Sequence, residues 1–165
     1  MIIRRLTAIL VLFMLSSCGS NNVYDAQYYL VRHAEKTTDK VDPGLTEIGE
    51  QRALDLAERL KDIPLTHIYS SNFKRTLNTA KPVSEKKNLE TTLYSPKALE
   101  TLAIELLSKE GIFLVVGHSN TTPNLSNFMG GIAGEPIVEA TEYNRLYVLQ
   151  RKGNKITSKI EVYGR

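Results

Sequence analysis

From residue 27 onward, short apolar runs alternate with amphipathic ones, and the period of the apolar positions switches back and forth between strand and helix. Residues 28–31 (Tyr-Tyr-Leu-Val) form a first apolar strand, followed by a polar loop that closes on Asp42-Pro43-Gly44. Thr46 is placed to cap a helix in which Ala53, Leu56, Ala57 and Leu60 recur at helical spacing, and Pro64 stops it. Residues 67–69 read as a second strand, with Ser70, Ser71 and Asn72 as candidate N-caps of a helix carrying Arg75, Thr76, Leu77 and Ala80. A third helix is predicted to start at Ser95-Pro96 and to run through Leu99, Leu102, Ala103, Leu106 and Leu107, ending by Gly111. Residues 112–116 are continuously apolar, as expected of a strand buried on both faces. Thr122-Pro123 opens another helix through Leu125 and Phe128, and residues 143–149 and 155–162 flank Gly153-Asn154 as a closing hairpin. This order predicts a three-layer α/β/α sandwich around a mostly parallel sheet. Residues 132–142 read only as a loop containing Gly134 and Pro136.

The first eighteen residues follow a different pattern. Arg4 and Arg5 precede an apolar stretch over residues 6–15, and Leu15-Ser16-Ser17-Cys18 then resembles the lipobox of bacterial lipoproteins. The apolar stretch is shorter than the ~20 residues that span a bilayer. The expected organisation is a signal peptide over 1–17, a lipidated Cys18 with a small polar tether over 18–26, and one folded domain over 27–165, held outside the cytoplasm on the bacterial cell envelope. Cys18 is the only cysteine, so no disulfide forms within the chain. Loss of Arg4 and Arg5 with the signal lowers the net charge from +3 to +1. With no basic face in view, that balance gives no reason to expect nucleic acid as a partner. A hydrophobic fraction of 42% with 24% charged residues instead fits an ordinary globular domain.

In an open parallel sheet, functional groups gather beyond the carboxyl ends of the strands. Arg32-His33 follows the first strand, Arg75 the second, and His118 the apolar run at 112–116, so the fold predicted above brings two arginines and two histidines to one edge. Arginine presents a planar fork of donors that matches phosphate and stays charged at every relevant pH. A neutral imidazole among such cations is a competent nucleophile for phosphoryl groups. The third histidine, His67, begins a strand and is expected to be structural or exposed.

At these positions the sequence resembles the histidine phosphatase (phosphoglycerate mutase-like) superfamily, whose hallmark is an Arg-His pair after the first strand. The likeness runs from Arg32-His33 through Leu45-Thr46-Glu47-Ile48-Gly49 and Tyr69-Ser70-Ser71 with Arg75-Thr76 to Val116-Gly117-His118-Ser119. It implies a phosphoglycerate mutase-like fold, His33 as the phosphorylated nucleophile, and Arg32, Arg75 and His118 around the phosphoryl group. Lys36 would extend the pocket toward an anionic substrate, and neither metal nor cofactor is implied.

The proton donor is open. Many relatives carry a carboxylate in the loop before the helix that precedes the second-histidine strand, but here that loop has no acid at its tip, and Glu100 is the nearest. Glu35, two residues beyond His33, competes with it, although its position better suits orienting an arginine or shaping the pocket rim. Only 42 residues separate Arg75 from His118, which leaves little room for a large substrate-covering insertion. Together with the Ala34-Glu35-Lys36 continuation, this points to the compact phosphatase branch acting on a small phosphorylated substrate. The alternatives are a lipid-anchored phosphate-binding protein without turnover and a phosphomutase.

Overall fold

The apolar run around residue 30 becomes the central strand of a six-stranded sheet in the computed structural model, which describes residues 25–164. Chain order is β1 (Ala26–Arg32), α1 (Glu47–Arg59), β2 (His67–Ser71), α2 (Lys74–Lys87), β3 (Thr91–Tyr94), α3 (Leu99–Leu107), β4 (Gly111–Gly117), α4 (Thr121–Phe128), β5 (Arg145–Lys152) and β6 (Lys155–Val162). Across the sheet the strands run β3-β2-β4-β1-β5-β6. The first four of these pair in parallel, and the β5–β6 hairpin adds antiparallel to β1. The expected signal, the lipidated Cys18 and nearly all of the tether lie outside the described residues. No helix among those residues is long and apolar enough to cross a membrane.

Alternation along β1 divides the core into two layers. Tyr29 and Val31 point to one side, where Leu56 and Ala57 of α1, its C-cap Leu60, and Ala80 and Val83 of α2 cover the sheet. Ala26, Tyr28 and Leu30 point to the other, under Leu102, Ala103 and Leu106 of α3 and Leu125 of α4 with its C-cap Met129. Tyr28 stacks on Phe113 with ring centroids 5.2 Å apart and donates its hydroxyl to the Leu106 carbonyl at 3.0 Å, so its polar end is satisfied inside the layer. The helices after β1 and β4, which are neighbours in the sheet, thus lie on opposite faces. That arrangement opens a crevice at the carboxyl ends of those two strands.

The sequence-based outline needs three corrections. Ser70 and Ser71 do not cap α2: both continue β2 and are fully buried. The N-cap position is Phe73, which makes no side-chain cap bond. Asp42 instead, reaching in from the loop after β1, accepts from the Lys74 amide at 3.0 Å. Ser95-Pro96 does not begin α3 either. It forms a turn in which the Ala98 amide donates to the Ser95 carbonyl at 3.0 Å, with proline at the position a turn favours, and the helix starts at Leu99. Strand β3 is absent from the outline because it is a four-residue edge strand with two exposed residues, too short to show a period. His67, at the end of the sheet away from the crevice, stacks on Phe113 at 4.7 Å and bonds the Thr66 hydroxyl.

Candidate active site

The crevice is built by extending the ladder one residue past β1. Arg32 pairs with Gly117, and the His33 amide donates to the Gly117 carbonyl at 2.9 Å, which fixes the backbone on which both side chains sit. Beyond them, the Ala34 amide donates to the Thr79 hydroxyl at 2.9 Å, and Ala34 is buried against Leu45 and Ala53. The Thr46 amide donates to the Glu35 carbonyl at 3.0 Å, while the Thr46 hydroxyl caps α1 by accepting from the Gly49 amide at 3.1 Å. Gly49 packs against the Glu35 backbone so closely that a Cβ there would stand 2.2 Å from the Glu35 carbonyl oxygen. Contact of α1 with the segment after His33 is the physical content of the Leu45-Thr46-Glu47-Ile48-Gly49 motif.

The two imidazoles face each other at 5.6 Å between centroids, inclined by 68°. His33 Nδ1 is 2.8 Å from the Ala34 carbonyl oxygen. Since a carbonyl only accepts, Nδ1 carries the proton and Nε2 carries the lone pair. The tautomer of His118 follows from a longer chain of donors. Thr76 gives its hydroxyl proton to the Ser71 carbonyl at 2.7 Å, and Ser71 gives its own to Thr76 Oγ1 at 3.1 Å. Ser71 Oγ is then left to accept from His118 Nε2 at 3.0 Å. His118 Nδ1 is the unprotonated atom, 3.4 Å from Arg75 Nη2, and the guanidinium can only donate to it. Burial is the main reason both rings stay neutral: it lowers the His33 pKa to about 3 and that of His118 to about 4, with Arg32 and Arg75 adding to both shifts.

Arg32 is 1% exposed. Its Nη1 donates to the Glu142 carbonyl at 3.0 Å, and its guanidinium lies 4.0 Å from the centre of the Tyr143 ring. Burial pushes its pKa down, against the opposing pull of Tyr143 and Glu139. Its Nε and Nη2, together with Arg75 Nε, are buried without a hydrogen-bond partner among the described residues. Arg75 is held by stacking over Phe73 at 4.6 Å and by Asp42 at 3.9 Å. Unpaired guanidinium donors of this kind are costly in a finished core and call for an anion. Two cations, two neutral imidazoles and several unmet donors define a pocket for a compact anion such as a phosphoryl group. Among the described residues, no group of three or more His, Cys, Asp or Glu side chains is placed to hold a metal ion.

The structure thus brings Arg32, His33, Arg75 and His118 together. It handles the remaining predicted residues differently. Both carboxylate oxygens of Glu35 accept from Arg52, at 2.7 to 2.9 Å, so this side chain orients an arginine and ties the His33 segment to α1. Lys36 shares an isolated bridge with Leu45 at the base of the loop after His33. Glu100 is exposed in the first turn of α3, beside Pro96, Lys97 and Phe128 and in none of the contacts above. Sequence reasoning missed Asp42, Ser71 as the partner of His118, and the whole loop over 132–144. That loop supplies the Glu142 carbonyl, Tyr143 and, 3.9 Å from Arg32 Nη2, the Glu139 carboxylate. No local pattern marks it, because its contacts are to a residue 110 positions earlier.

Known proteins resemble this chain in sequence and in fold. The profile of the histidine phosphatase superfamily (branch 1) matches residues 28–100. Two similar curated proteins are probable phosphoglycerate mutases GpmB. That of Escherichia fergusonii is 35% identical over 98 residues, 51% of this chain and 45% of its own; that of Erwinia tasmaniensis is 36% identical over 66 residues, 36% and 31%. The chain therefore spans less than half the length of these relatives. Similar solved structures include a putative phosphohistidine phosphatase SixA from Agrobacterium tumefaciens (TM-score 0.64, 20% identity, 87% of this chain and 99% of that one). Another is a mycobacterial glucosyl-3-phosphoglycerate phosphatase complexed with inorganic phosphate (TM-score 0.62, 16% identity, 84% and 97%). Over residues 28–100 the sequence thus resembles the histidine phosphatase superfamily (branch 1), and the described residues share the fold of these solved structures.

Proposed function

We propose that this chain is a phosphatase that hydrolyses a small phosphomonoester through a phosphohistidine on His33. The observation that carries this reading is the coexistence of a neutral His33, whose Nε2 lone pair is left free by the bond at Nδ1, with buried arginine donors that lack a partner. His33 Nε2 attacks phosphorus and displaces the alcohol, and water then releases phosphate and regenerates the imidazole. Arg32 and Arg75 hold the phosphoryl oxygens, and their charge is worth most where it offsets the charge of the transition state, while the neutral His118 completes the pocket by accepting from Arg75 and holding its guanidinium in place. None of these roles calls for a metal.

Hydrolysis rather than intramolecular phosphate transfer is favoured by the short segment between Arg75 and His118, which is taken up by the rest of α2, β3, α3 and β4 and leaves no insertion to enclose a substrate. The lipobox-like Leu15-Ser16-Ser17-Cys18 places the enzyme, in this reading, on the outer side of a bacterial membrane, where its substrates are extracytoplasmic phosphomonoesters. Labelling with a radioactive fatty acid, lost in Cys18→Ser, tests that location.

Activity is tested with dinitrophenyl phosphate in the presence of a chelator. Hydrolysis abolished by His33→Ala, with a labelled phosphohistidine trapped in acid-quenched wild type, is the expected result. Phosphate binding without turnover anywhere between pH 4 and 9 would instead make the protein a phosphate-ligand receptor, and phosphate moved between positions of one substrate would make it a mutase.

A further inference from the structure

If His33 is the nucleophile, the group that protonates the departing oxygen is still to be found, and the carboxylates near the crevice can be compared one by one. Glu35 is fully engaged by Arg52. Glu142 accepts from Arg145 Nε at 2.7 Å and from the Val138 amide at 3.1 Å, so it braces the 132–144 loop. Asp42 is 3.9 Å from Arg75 but spends its oxygen on the Lys74 amide. Glu100 shares none of these contacts. Glu139 stands apart: its Oε1 is 3.9 Å from Arg32 Nη2, and its carboxylate accepts no hydrogen bond among the described residues.

We infer that Glu139 is the proton donor of the reaction, delivered to the crevice by the 132–144 loop. This rests on the phosphatase reading above. Arg32 Nη2 is one of the buried donors without a partner, so an oxygen of the substrate belongs there, at the ~2.8 Å typical of a charge-assisted bond. With Glu139 Oε1 only 3.9 Å from the same nitrogen, one oxygen can stand within hydrogen-bond reach of both groups. Glu139 is 71% exposed and Arg32 only 1%, so the carboxyl sits at the open mouth of the crevice while the guanidinium lines its floor. A leaving alcohol there departs directly into water.

In the first step the N–P bond to His33 Nε2 forms as the P–O bond to the leaving group breaks, and the alkoxide takes the proton from the Glu139 carboxyl. In the second the Glu139 carboxylate takes a proton from water as that water attacks phosphorus. The N–P bond breaks, inorganic phosphate leaves, and Glu139 is again protonated.

The test compares kcat/KM for glycerol phosphate, whose alkoxide needs a proton, with that for dinitrophenyl phosphate, whose phenolate does not. Because kcat/KM reports the first irreversible step, the Glu139→Gln variant should lose about a hundredfold or more on glycerol phosphate. The loss on dinitrophenyl phosphate should be at least tenfold smaller. Equal losses on both substrates would make Glu139 a residue that only positions Arg32, and no loss on either would remove it from the reaction; each overturns the inference while leaving the phosphatase intact. Wild type inert toward both substrates would overturn the phosphatase reading itself, and the role of Glu139 with it.

Discussion

Gly49 lies on α1, outside the cationic pocket, yet replacing it should disturb the segment that carries His33, the proposed nucleophile. The Cβ of Gly49→Ala would meet the Glu35 carbonyl oxygen at 2.2 Å and the Glu35 carbonyl carbon at 3.0 Å. A carbon and an oxygen not bonded to each other rest more than an ångström farther apart than the first of these, so α1 and the Glu35 backbone must separate by roughly 1 Å. The same motion strains the hydrogen bond from the Thr46 amide to the Glu35 carbonyl and the hydrogen bonds that Arg52 donates to the Glu35 carboxylate. Overpacking costs about 1–3 kcal/mol and the weakened hydrogen bonds about 1 kcal/mol more. Alanine returns about 1 kcal/mol through its helix propensity. A net loss of about 2 kcal/mol should lower Tm by roughly 4–8 °C in a chain of this size. Because Glu35 is two residues from His33, a displacement of 1 Å should also cut kcat/KM for dinitrophenyl phosphate by about a hundredfold. Calorimetry and steady-state rates on one preparation measure both. Unchanged Tm and rates within threefold of wild type would refute the claim that this contact positions the nucleophile.

Arg32→Met removes a buried cation with unmet donors; the variant should unfold no earlier than wild type in phosphate-free buffer, yet lose the Tm rise of about 5–10 °C that saturating phosphate gives the wild type. A variant that still gains stability from phosphate would remove Arg32 from the anion site. The His33 pKa is depressed to about 3 in the fold, so the unfolded chain takes up the proton first as pH falls. His33 therefore supports stability fully above about pH 6.5, and that support drops by about 1.4 kcal/mol per pH unit down toward pH 3. Urea midpoints at pH 7 and pH 5 should thus diverge by about 2 kcal/mol more in wild type than in His33→Gln; equal differences would show that His33 is not buried neutral. Ser71→Ala leaves His118 Nε2–H without its acceptor, at about 1–3 kcal/mol. Nitrogen NMR should then report a changed tautomer at His118, and an unaltered spectrum would break the argument from the Thr76 and Ser71 hydroxyls.

Much of the fold could be read from local pattern. The continuously apolar run at 112–116, the Thr46 cap and the turn at Gly153-Asn154 each declare themselves within a few residues, and the structure has all three, the first as β4. The four basic residues were legible for a related reason: each immediately follows a strand or opens the next helix, so predicting the sheet predicted where they meet. What escaped depends on partners distant in the chain. Ser71 looks like a helix cap until the sheet brings His118 beside it, 47 residues later. Asp42 looks like turn chemistry until α2 presents its free amides 32 residues on. The loop over 132–144 has no period, and its meaning comes entirely from the buried arginine beneath it.

The central place of β1 has a consequence for how the candidate site is assembled. The strand that carries Arg32 and His33 is made first, but its neighbours in the sheet are β4 on one side and β5 on the other, synthesised about 80 and 120 residues later. Such non-local pairing closes late and slowly. A chain interrupted after His118 would contain every motif and still leave one edge of β1 bare and Arg32 without its Glu142 and Tyr143 contacts. Termination between His118 and β5 should therefore yield an inert product rather than a weakened one, and turnover would certify that β5 had been made and paired.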